Sequence, residues 1–314
     1  MREVTIATVQ FEPKLGEPEE NLVKMSGFIS RIASQQKVDL IVFPELVTSG
    51  YELGVRFTEV AQRVPGPSIN LMAQRAAEYG VFIAFGLVTK EKVESVIFNT
   101  AVLVGPDGEL VGTYNKVHLR GEERMAFREG FRFPVFETEI GNIGLMLGWD
   151  LAFPEVARSL ALDGAEIICA LTNWESAHMD EYRTYLKARA LENAMYVVSS
   201  NRVGEDVTLN FGGESMIVGP RGEIYAAITA EPPKPKTDEK KENSSDSEKT
   251  EAEGDKQASK TETKQEGNSA DALKQPEGFA VARIDLDEIR KNREQFQMFQ
   301  ERQPTAYRTI VKRY

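Results

Sequence analysis

Short apolar runs alternate with amphipathic segments along most of this chain, and this alternation restricts the possible folds most strongly. The runs are typical of buried strands, whereas in the other segments apolar residues recur every three or four positions, as they do in helices. Three segments show one apolar helical face each: Leu22, Met25, Phe28, Ile29 and Ile32; Ile69, Met72, Ala73 and Ala76; and Tyr182, Leu186 and Ala190. Such alternation predicts helices packed on the faces of a β-sheet.

Two tight turns indicate that the strands are not all parallel. Residues 106–108 and 220–222 each combine proline with glycine between two apolar runs, which is typical of a β-hairpin. The predicted hairpins pair residues 101–104 with 110–113, and 216–218 with 224–227. A further hairpin is expected between residues 224–228 and 279–284. The sequence therefore predicts an α/β protein with mixed sheets.

The domain organisation follows from length and local composition. With 314 residues, of which 41% are hydrophobic, the chain can form one large domain with a buried core. Residues 232–276 instead consist mainly of charged and small polar residues and contain no aromatic side chain. Such a segment buries too little apolar surface to offset its ordering entropy. We predict a single domain over residues 1–314 that is interrupted by a disordered charged insertion at about 232–276.

Charge and residue counts exclude several classes of function. The net charge of -11 argues against nucleic acid as a partner. One cysteine, Cys169, excludes an internal disulfide, and the two histidines, His118 and His178, are too few for a typical zinc site, so we predict neither metal nor cofactor. The N-terminus lacks the pattern of a secretion signal, which indicates a cytoplasmic protein without a membrane partner.

Candidate functional residues lie where apolar runs end. Glu45 and Lys116 each come just past such a run, and a third run ends at Gly148 before helical spacing begins. In α/β hydrolytic folds, a strand that turns sharply into a helix presents a nucleophile beside free backbone N–H groups. We therefore predict such a strand-to-helix turn, called an elbow below, at Gly148, although glycine has no nucleophilic side chain.

These strand ends, taken in order with motifs elsewhere, resemble the nitrilase superfamily of carbon-nitrogen hydrolases, especially its amidase and carbamoylase branches. The matching strings are residues 4–10, 40–51, 112–119, 143–155, 171–174, 188–193, 200–204, 213–220 and 284–314. The resemblance implies an α-β-β-α sandwich with two mixed β-sheets. It also implies a homodimer or a higher homo-oligomer.

The resemblance also implies roles for individual residues. Glu45 takes the position of the general base, and Lys116 that of the residue that holds the oxyanion. Gly148 stands where the family carries its nucleophilic cysteine, and the backbone N–H of Trp149 is the expected second oxyanion donor. The chain thus has most of a Glu-Lys-Cys site but lacks its sulfur atom.

Four other residues are candidates for supporting or binding roles. Glu123 resembles the second carboxylate of several family members, although a one-residue shift would place Glu122 there. Tyr51, Asn173 and Trp174 are candidates for lining a substrate pocket.

Two reactive residue types are not assigned to catalysis. His118 lies two residues after Lys116, where its position suits a structural hydrogen bond, and we assign it no proton transfer. Cys169 lies within an apolar run and is expected to be a buried, inert core residue.

The family resemblance implies hydrolysis of small amides or N-carbamoyl compounds to acid and ammonia. Glycine cannot form the covalent acyl intermediate. Because Gly148 takes the position of the nucleophile, we predict that this chain is inactive or nearly so in that reaction. One alternative is a non-catalytic protein that binds a small metabolite or serves as an assembly scaffold, with Lys116 contacting a carboxylate. A second alternative is an active hydrolase in which Glu45 activates water directly. The expected partner is a small amide or carboxylate.

Overall fold

Fourteen strands and seven α-helices occur in residues 1–92, 96–229 and 275–311, which the computed structural model describes. The strands are β1 (Glu3–Gln10), β2 (Leu40–Val42), β3 (Phe82–Lys90), β4 (Ile97–Val104), β5 (Leu110–Asn115), β6 (Val135–Thr138), β7 (Gly141–Leu147), β8 (Ile167–Thr172), β9 (Tyr196–Asn201), β10 (Val203–Glu205), β11 (Asn210–Gly212), β12 (Met216–Val218), β13 (Ile224–Ala227) and β14 (Gly278–Asp285). The α-helices are α1 (Pro18–Gln35), α2 (Phe57–Val60), α3 (Pro67–Tyr79), α4 (Glu123–Ala126), α5 (Pro154–Leu162), α6 (Met179–Asn193) and α7 (Asp287–Phe296). Short 3-10 helices occupy Gly54–Arg56, Gly148–Ala152, Ser176–His178 and Pro304–Val311.

Most of the strands form two six-stranded sheets. The first sheet has the order β14-β1-β2-β3-β4-β5, and the second has the order β13-β12-β9-β8-β7-β6. In each sheet three neighbouring strands are parallel, namely β1, β2 and β3 in the first and β7, β8 and β9 in the second. The flanking strands are antiparallel. The predicted α/β class with two mixed sheets is confirmed.

Three apolar clusters divide the molecule into four layers. One cluster joins side chains of both sheets, for example Leu40 of β2 with Leu145 of β7, and therefore lies between them. A second packs α1 and α3 on the outer face of the first sheet, and a third packs α5 and α6 on the outer face of the second. Because side chains alternate along a strand, Leu40 lies between the sheets while Ile41 packs in the helix-facing cluster. This arrangement is an α-β-β-α sandwich.

Two of the three predicted hairpins form, and the third is wrong. β4 pairs with β5 and β12 pairs with β13, both antiparallel, as the turn residues predict. β13, however, is an edge strand of the second sheet, whereas β14 pairs with β1 in the first sheet over eight residue pairs, from Glu3↔Asp285 to Gln10↔Gly278. Apolar alternation shows which faces of a strand are buried but does not choose its partner. The predicted insertion at 232–276 lies outside the described residues, apart from 275 and 276.

The predicted helical faces are buried as expected. All five apolar residues singled out in α1 are buried, as are the four in α3 and the three in α6. α5 ends at Leu162 and is followed by Asp163 and Gly164, and glycine is typical just after the end of a helix. No helix in the described part of the chain is long and apolar enough to span a membrane.

Two leucines of α5 provide a test of this packing. Leu160 is fully buried against the second sheet, whereas Leu162 is 47% exposed. Leu160→Ala should lower the free energy of unfolding by about 2–5 kcal/mol, because it leaves a cavity in the core. Leu162→Ala, the matched control on the same helix, should change it by less than about 0.5 kcal/mol. Urea unfolding followed by circular dichroism measures both, and equal losses would contradict this orientation of α5.

Candidate active site

A buried lysine between two carboxylates forms the centre of the site. Lys116 follows β5, and its Nζ donates hydrogen bonds to Glu45 Oε1 at 2.7 Å and to Glu123 Oε1 at 2.6 Å. The three side chains are at most 3% exposed. Because unpaired charges are very costly away from water, the ammonium and the carboxylates must lie together. Glu123 therefore occupies this site, whereas the adjacent Glu122 is exposed.

Burial and charge shift the pKa values of this group in different directions. Burial raises the pKa of Glu45 to about 7, because the opposing attraction of Lys116 only partly offsets the loss of water, and the charge of Glu123 raises it further. Burial lowers the pKa of Lys116, but the two carboxylates outweigh that effect and raise the pKa above its ordinary value. Lys116 therefore stays cationic, while Glu45 can exchange a proton near neutral pH.

Further hydrogen bonds hold each carboxylate in place. Asn99 of β4 donates from Nδ2 to Glu45 Oε1 at 2.8 Å, and the backbone N–H of Asn173, just after β8, donates to Glu45 Oε2 at 3.1 Å. The backbone N–H of Arg120 donates to Glu123 Oε2 at 2.8 Å. The sequence analysis missed Asn99, although a polar residue in the middle of the apolar strand β4 was a usable signal.

The elbow at Gly148 points toward this group. Gly148 directly follows β7 and has φ +42°, a left-handed conformation that favours glycine. A Cβ atom built at this position would lie 2.5 Å from Glu45 Oε2 and 3.0 Å from Lys116 Nζ. Any side chain at position 148 would therefore project between the carboxylate and the ammonium.

Asp150, which the sequence analysis did not single out, fixes the elbow. Its fully buried carboxylate accepts hydrogen bonds at Oδ2 from the Tyr114 hydroxyl at 2.6 Å and the Leu147 backbone N–H at 3.1 Å. Its Oδ1 accepts from the His118 backbone N–H at 3.0 Å and lies 2.8 Å from His118 Nδ1. The structure thus places His118 in a structural contact that ties the Lys116 loop to the elbow.

A small cavity of about 20 Å³ adjoins the buried lysine, which is room for about one water molecule. It is lined by Glu45, Tyr51, Lys116, Arg120, Gly148, Trp149, Asn173, Trp174 and Glu175. Asn173 is 9% exposed, and neither atom of its side-chain amide, Oδ1 or Nδ2, has a hydrogen-bond partner among the described residues. The Trp149 and Trp174 rings stack with centroids 5.9 Å apart. The structure therefore brings Tyr51, Asn173 and Trp174 to one cavity with the Glu-Lys pair.

Cys169 lies elsewhere. It is fully buried in β8 within the cluster between the sheets, and burial raises the pKa of its thiol. A neutral thiol surrounded by apolar side chains is unreactive. Among the described residues, no group of three His, Cys, Asp or Glu side chains is arranged to hold a metal ion.

Comparison with known proteins identifies the family. The carbon-nitrogen hydrolase family profile matches residues 5–234. The chain belongs to the carbon-nitrogen hydrolase family. A probable nitrilase from Schizosaccharomyces pombe is 44% identical over 229 residues, which cover 72% of this chain and 84% of that protein.

Solved structures agree with the fold of this carbon-nitrogen hydrolase. A carbon-nitrogen hydrolase from Helicobacter pylori G27 superposes with a TM-score of 0.76 at 21% identity, covering 99% of both chains. An amidase from Nesterenkonia sp. AN1 superposes with a TM-score of 0.74 at 22% identity, covering 98% of this chain and 96% of that one. Both likenesses show that this chain shares the sandwich fold of those proteins.

The raised pKa of Glu45 predicts a pH-dependent stability. Between its ordinary value of 4.5 and about 7, the folded chain holds a proton on Glu45 that the unfolded chain has released. The contribution of Glu45 to the free energy of unfolding should therefore fall as the pH rises through this window, by at most about 1.4 kcal/mol per pH unit. Glu45→Gln, which imitates the protonated form, should lose this decrease.

The measurement is urea unfolding of the parent and the variant from about pH 4.5 to about pH 8. The difference between their unfolding free energies should change across the window and level off above it. Glu109→Gln, which neutralises an exposed carboxylate in the turn before β5, should track the parent at each pH. A constant difference between the parent and Glu45→Gln would contradict the raised pKa.

Proposed function

We propose that this chain is an amidase-type carbon-nitrogen hydrolase relative whose pocket binds a small amide or carboxylate and that lacks the nucleophile for turnover. The proposal rests on the direction in which a side chain at position 148 would point. A Cβ atom there would point at Glu45 Oε2 and Lys116 Nζ, which is where a nucleophile needs its base and its oxyanion contact.

The proposed roles follow from the chemistry of amide cleavage. A cysteine at position 148 would give its proton to Glu45 and attack the carbonyl carbon. Lys116 and the backbone N–H of Trp149 would stabilise the negative oxygen that forms, and Glu123 would hold Lys116 in place. Glu45 would then protonate the departing amine, and water would cleave the thioester. With glycine at this position no thioester forms, so the chain should be inactive or nearly so.

Binding does not require the missing sulfur atom. The unpartnered Asn173 amide can accept from the NH₂ group of a primary amide and donate to its oxygen. Tyr51 and Trp174 supply part of the wall of the cavity. The cavity is small, so we propose that only the end of a ligand, a single amide or carboxylate, approaches it.

The relatives support the reaction type but leave the substrate open. The Nesterenkonia amidase structure shows covalent addition of the acetamide moiety of fluoroacetamide at that enzyme's active-site cysteine. This is the step that Gly148 removes in our proposal. The homodimer or higher homo-oligomer and the cytoplasmic location stay predictions.

Restoring the sulfur atom tests the proposal. Gly148→Cys should raise ammonia release from a panel of small amides and N-carbamoyl compounds at least about a hundredfold over the parent, since loss of a nucleophile typically costs far more. The left-handed φ of +42° disfavours any side chain, so the variant should lose about 1–3 kcal/mol of unfolding free energy. Glu45 must also shift slightly, because its Oε2 lies only 2.5 Å from the new Cβ position.

Gly148→Ala is the matched control, since it carries the same backbone strain without a thiol and should stay inert. The double variant Gly148→Cys with Glu45→Gln should lose most of the gained activity. If folded Gly148→Cys remains as inert as Gly148→Ala, position 148 is not the nucleophile position. If the unmodified chain already releases ammonia at an amidase-like rate, the proposed inactivity is wrong. Activation of water by Glu45 would then explain the turnover.

A further inference from the structure

A second, larger space adjoins the cavity beside Lys116. This vestibule has a volume of about 260 Å³, and Tyr51, Arg120 and Glu175 line both it and the inner cavity. The inner cavity holds about one water molecule, so any larger ligand must extend into the vestibule. The residues of the vestibule are therefore placed to select what the amide group is attached to.

The vestibule is lined by four carboxylates, those of Glu52, Glu122, Glu123 and Glu175. Among the described residues that line it, Arg120 is the only cation. Arg120 is already engaged, because its Nη1 lies 3.5 Å from Glu175 and its guanidinium lies 4.6 Å from the centre of the Trp149 ring. Glu175 is thus balanced by Arg120.

Two of the four glutamates form no ion pair with any residue that the structure describes in the lining of this space. Glu123 is paired with Lys116, whereas Glu122 is exposed. Glu52 accepts hydrogen bonds from the backbone N–H groups of Thr208 and Leu209, at 2.8 and 2.9 Å, and from the Thr208 hydroxyl.

The hydrogen bonds to Glu52 keep it charged. Partial burial raises its pKa, but the donors of Thr208 and Leu209 outweigh burial and hold the pKa below its ordinary value. These donors are neutral, so they fix the position of the carboxylate without cancelling its charge. The buried guanidinium of Arg202 also attracts Glu52, but its Nη1 is paired with Asp206 at 2.8 Å. Glu52 therefore lines the vestibule as a fixed anion.

The side chain of Asn173 is a separate observation that points to a polar ligand group next to this space. Asn173 is 91% buried, lines the inner cavity, and has no hydrogen-bond partner at either amide atom. Buried polar atoms of this kind are normally hydrogen-bonded, so the Asn173 amide is free to bind a polar group that enters the cavity. The amide end of a ligand satisfies both atoms and leaves its far end among the carboxylates.

We propose that the site selects amides whose far end carries an ammonium group, with the amide at Asn173 and the ammonium in the vestibule near Glu52 and Glu122. This inference rests on the proposed function, since it assumes that the inner cavity binds an amide. A neutral far end gains nothing from the two carboxylates, and an anionic far end is repelled by them.

Three probes of equal chain length test the charge selection on the unmodified chain: pentanamide, 5-aminopentanamide and glutaric acid monoamide, which are neutral, cationic and anionic at about pH 7.5. Isothermal titration calorimetry at low salt measures each Kd. We expect 5-aminopentanamide to bind about tenfold more tightly than pentanamide, and the anionic probe to bind more weakly than pentanamide. The preference should shrink as salt is added.

Charge-neutralising variants test which carboxylates produce the preference for the cationic probe. Glu122→Gln and Glu52→Gln should each reduce the preference for the cationic probe about threefold while leaving the Kd of pentanamide unchanged. Glu122 is exposed and so offers a test even if Glu52→Gln disturbs its loop. Glu109→Gln removes the same charge from a distant turn and should leave all three affinities as they are.

The outcomes separate this inference from the proposed function. Binding of pentanamide with no preference for the cationic probe, or with a preference for the anionic one, overturns the charge selection and leaves the amide pocket standing. Failure of all three probes to bind overturns the proposed amide site and the inference with it. A cationic preference that survives in both glutamine variants also overturns the assignment to this vestibule.

Discussion

The ion pairs of Lys116 are the constraint on which the rest of the site depends. An ammonium that is 2% exposed is stable only because Glu45 and Glu123 lie within 2.7 Å of it. The three residues come from the loops after β2 and β5 and from the start of α4, so this pairing holds three separate segments at one place. Two carboxylates for one ammonium leave an excess negative charge, and the raised pKa of Glu45 is the physical result.

The sandwich brings the other parts of the site to the same place. β2, β7 and β8 belong to the parallel parts of their sheets, and the segments just after them carry Glu45, Gly148 and Asn173. Since ligands of α/β sheets bind beyond the carboxyl ends of the strands, this edge is the expected location of a site. The hydrogen bond from the Asn173 backbone to Glu45 joins the two sheets directly. Asp150 fixes the elbow relative to the Lys116 loop.

Gly148 limits the chemistry that this arrangement can perform, because glycine supplies no side chain at the elbow. The elbow keeps a left-handed φ, and the Glu45 carboxylate lies close to where a side chain at position 148 would begin. In the function that we propose, Glu45, Lys116 and the free amide of Asn173 position a ligand, and glycine at position 148 offers no side chain to form a covalent bond with its carbonyl carbon. The charge in the adjoining vestibule is then the property by which we propose that the site selects among amides.

The sequence by itself determined the α/β class, the buried faces of α1, α3 and α6, and two of the three hairpins, because periodicity and turn residues are local properties. Resemblance to a family directed attention to Glu45, Lys116 and Gly148. Only the tertiary structure decided that β14 joins β1 in the first sheet, that Glu123 rather than Glu122 contacts Lys116, and that Asn99 and Asp150 support the site. These features depend on contacts between residues far apart in the chain. Strand partners outside a hairpin and shifted pKa values cannot be read from local pattern, since both arise from the segments that pack around them.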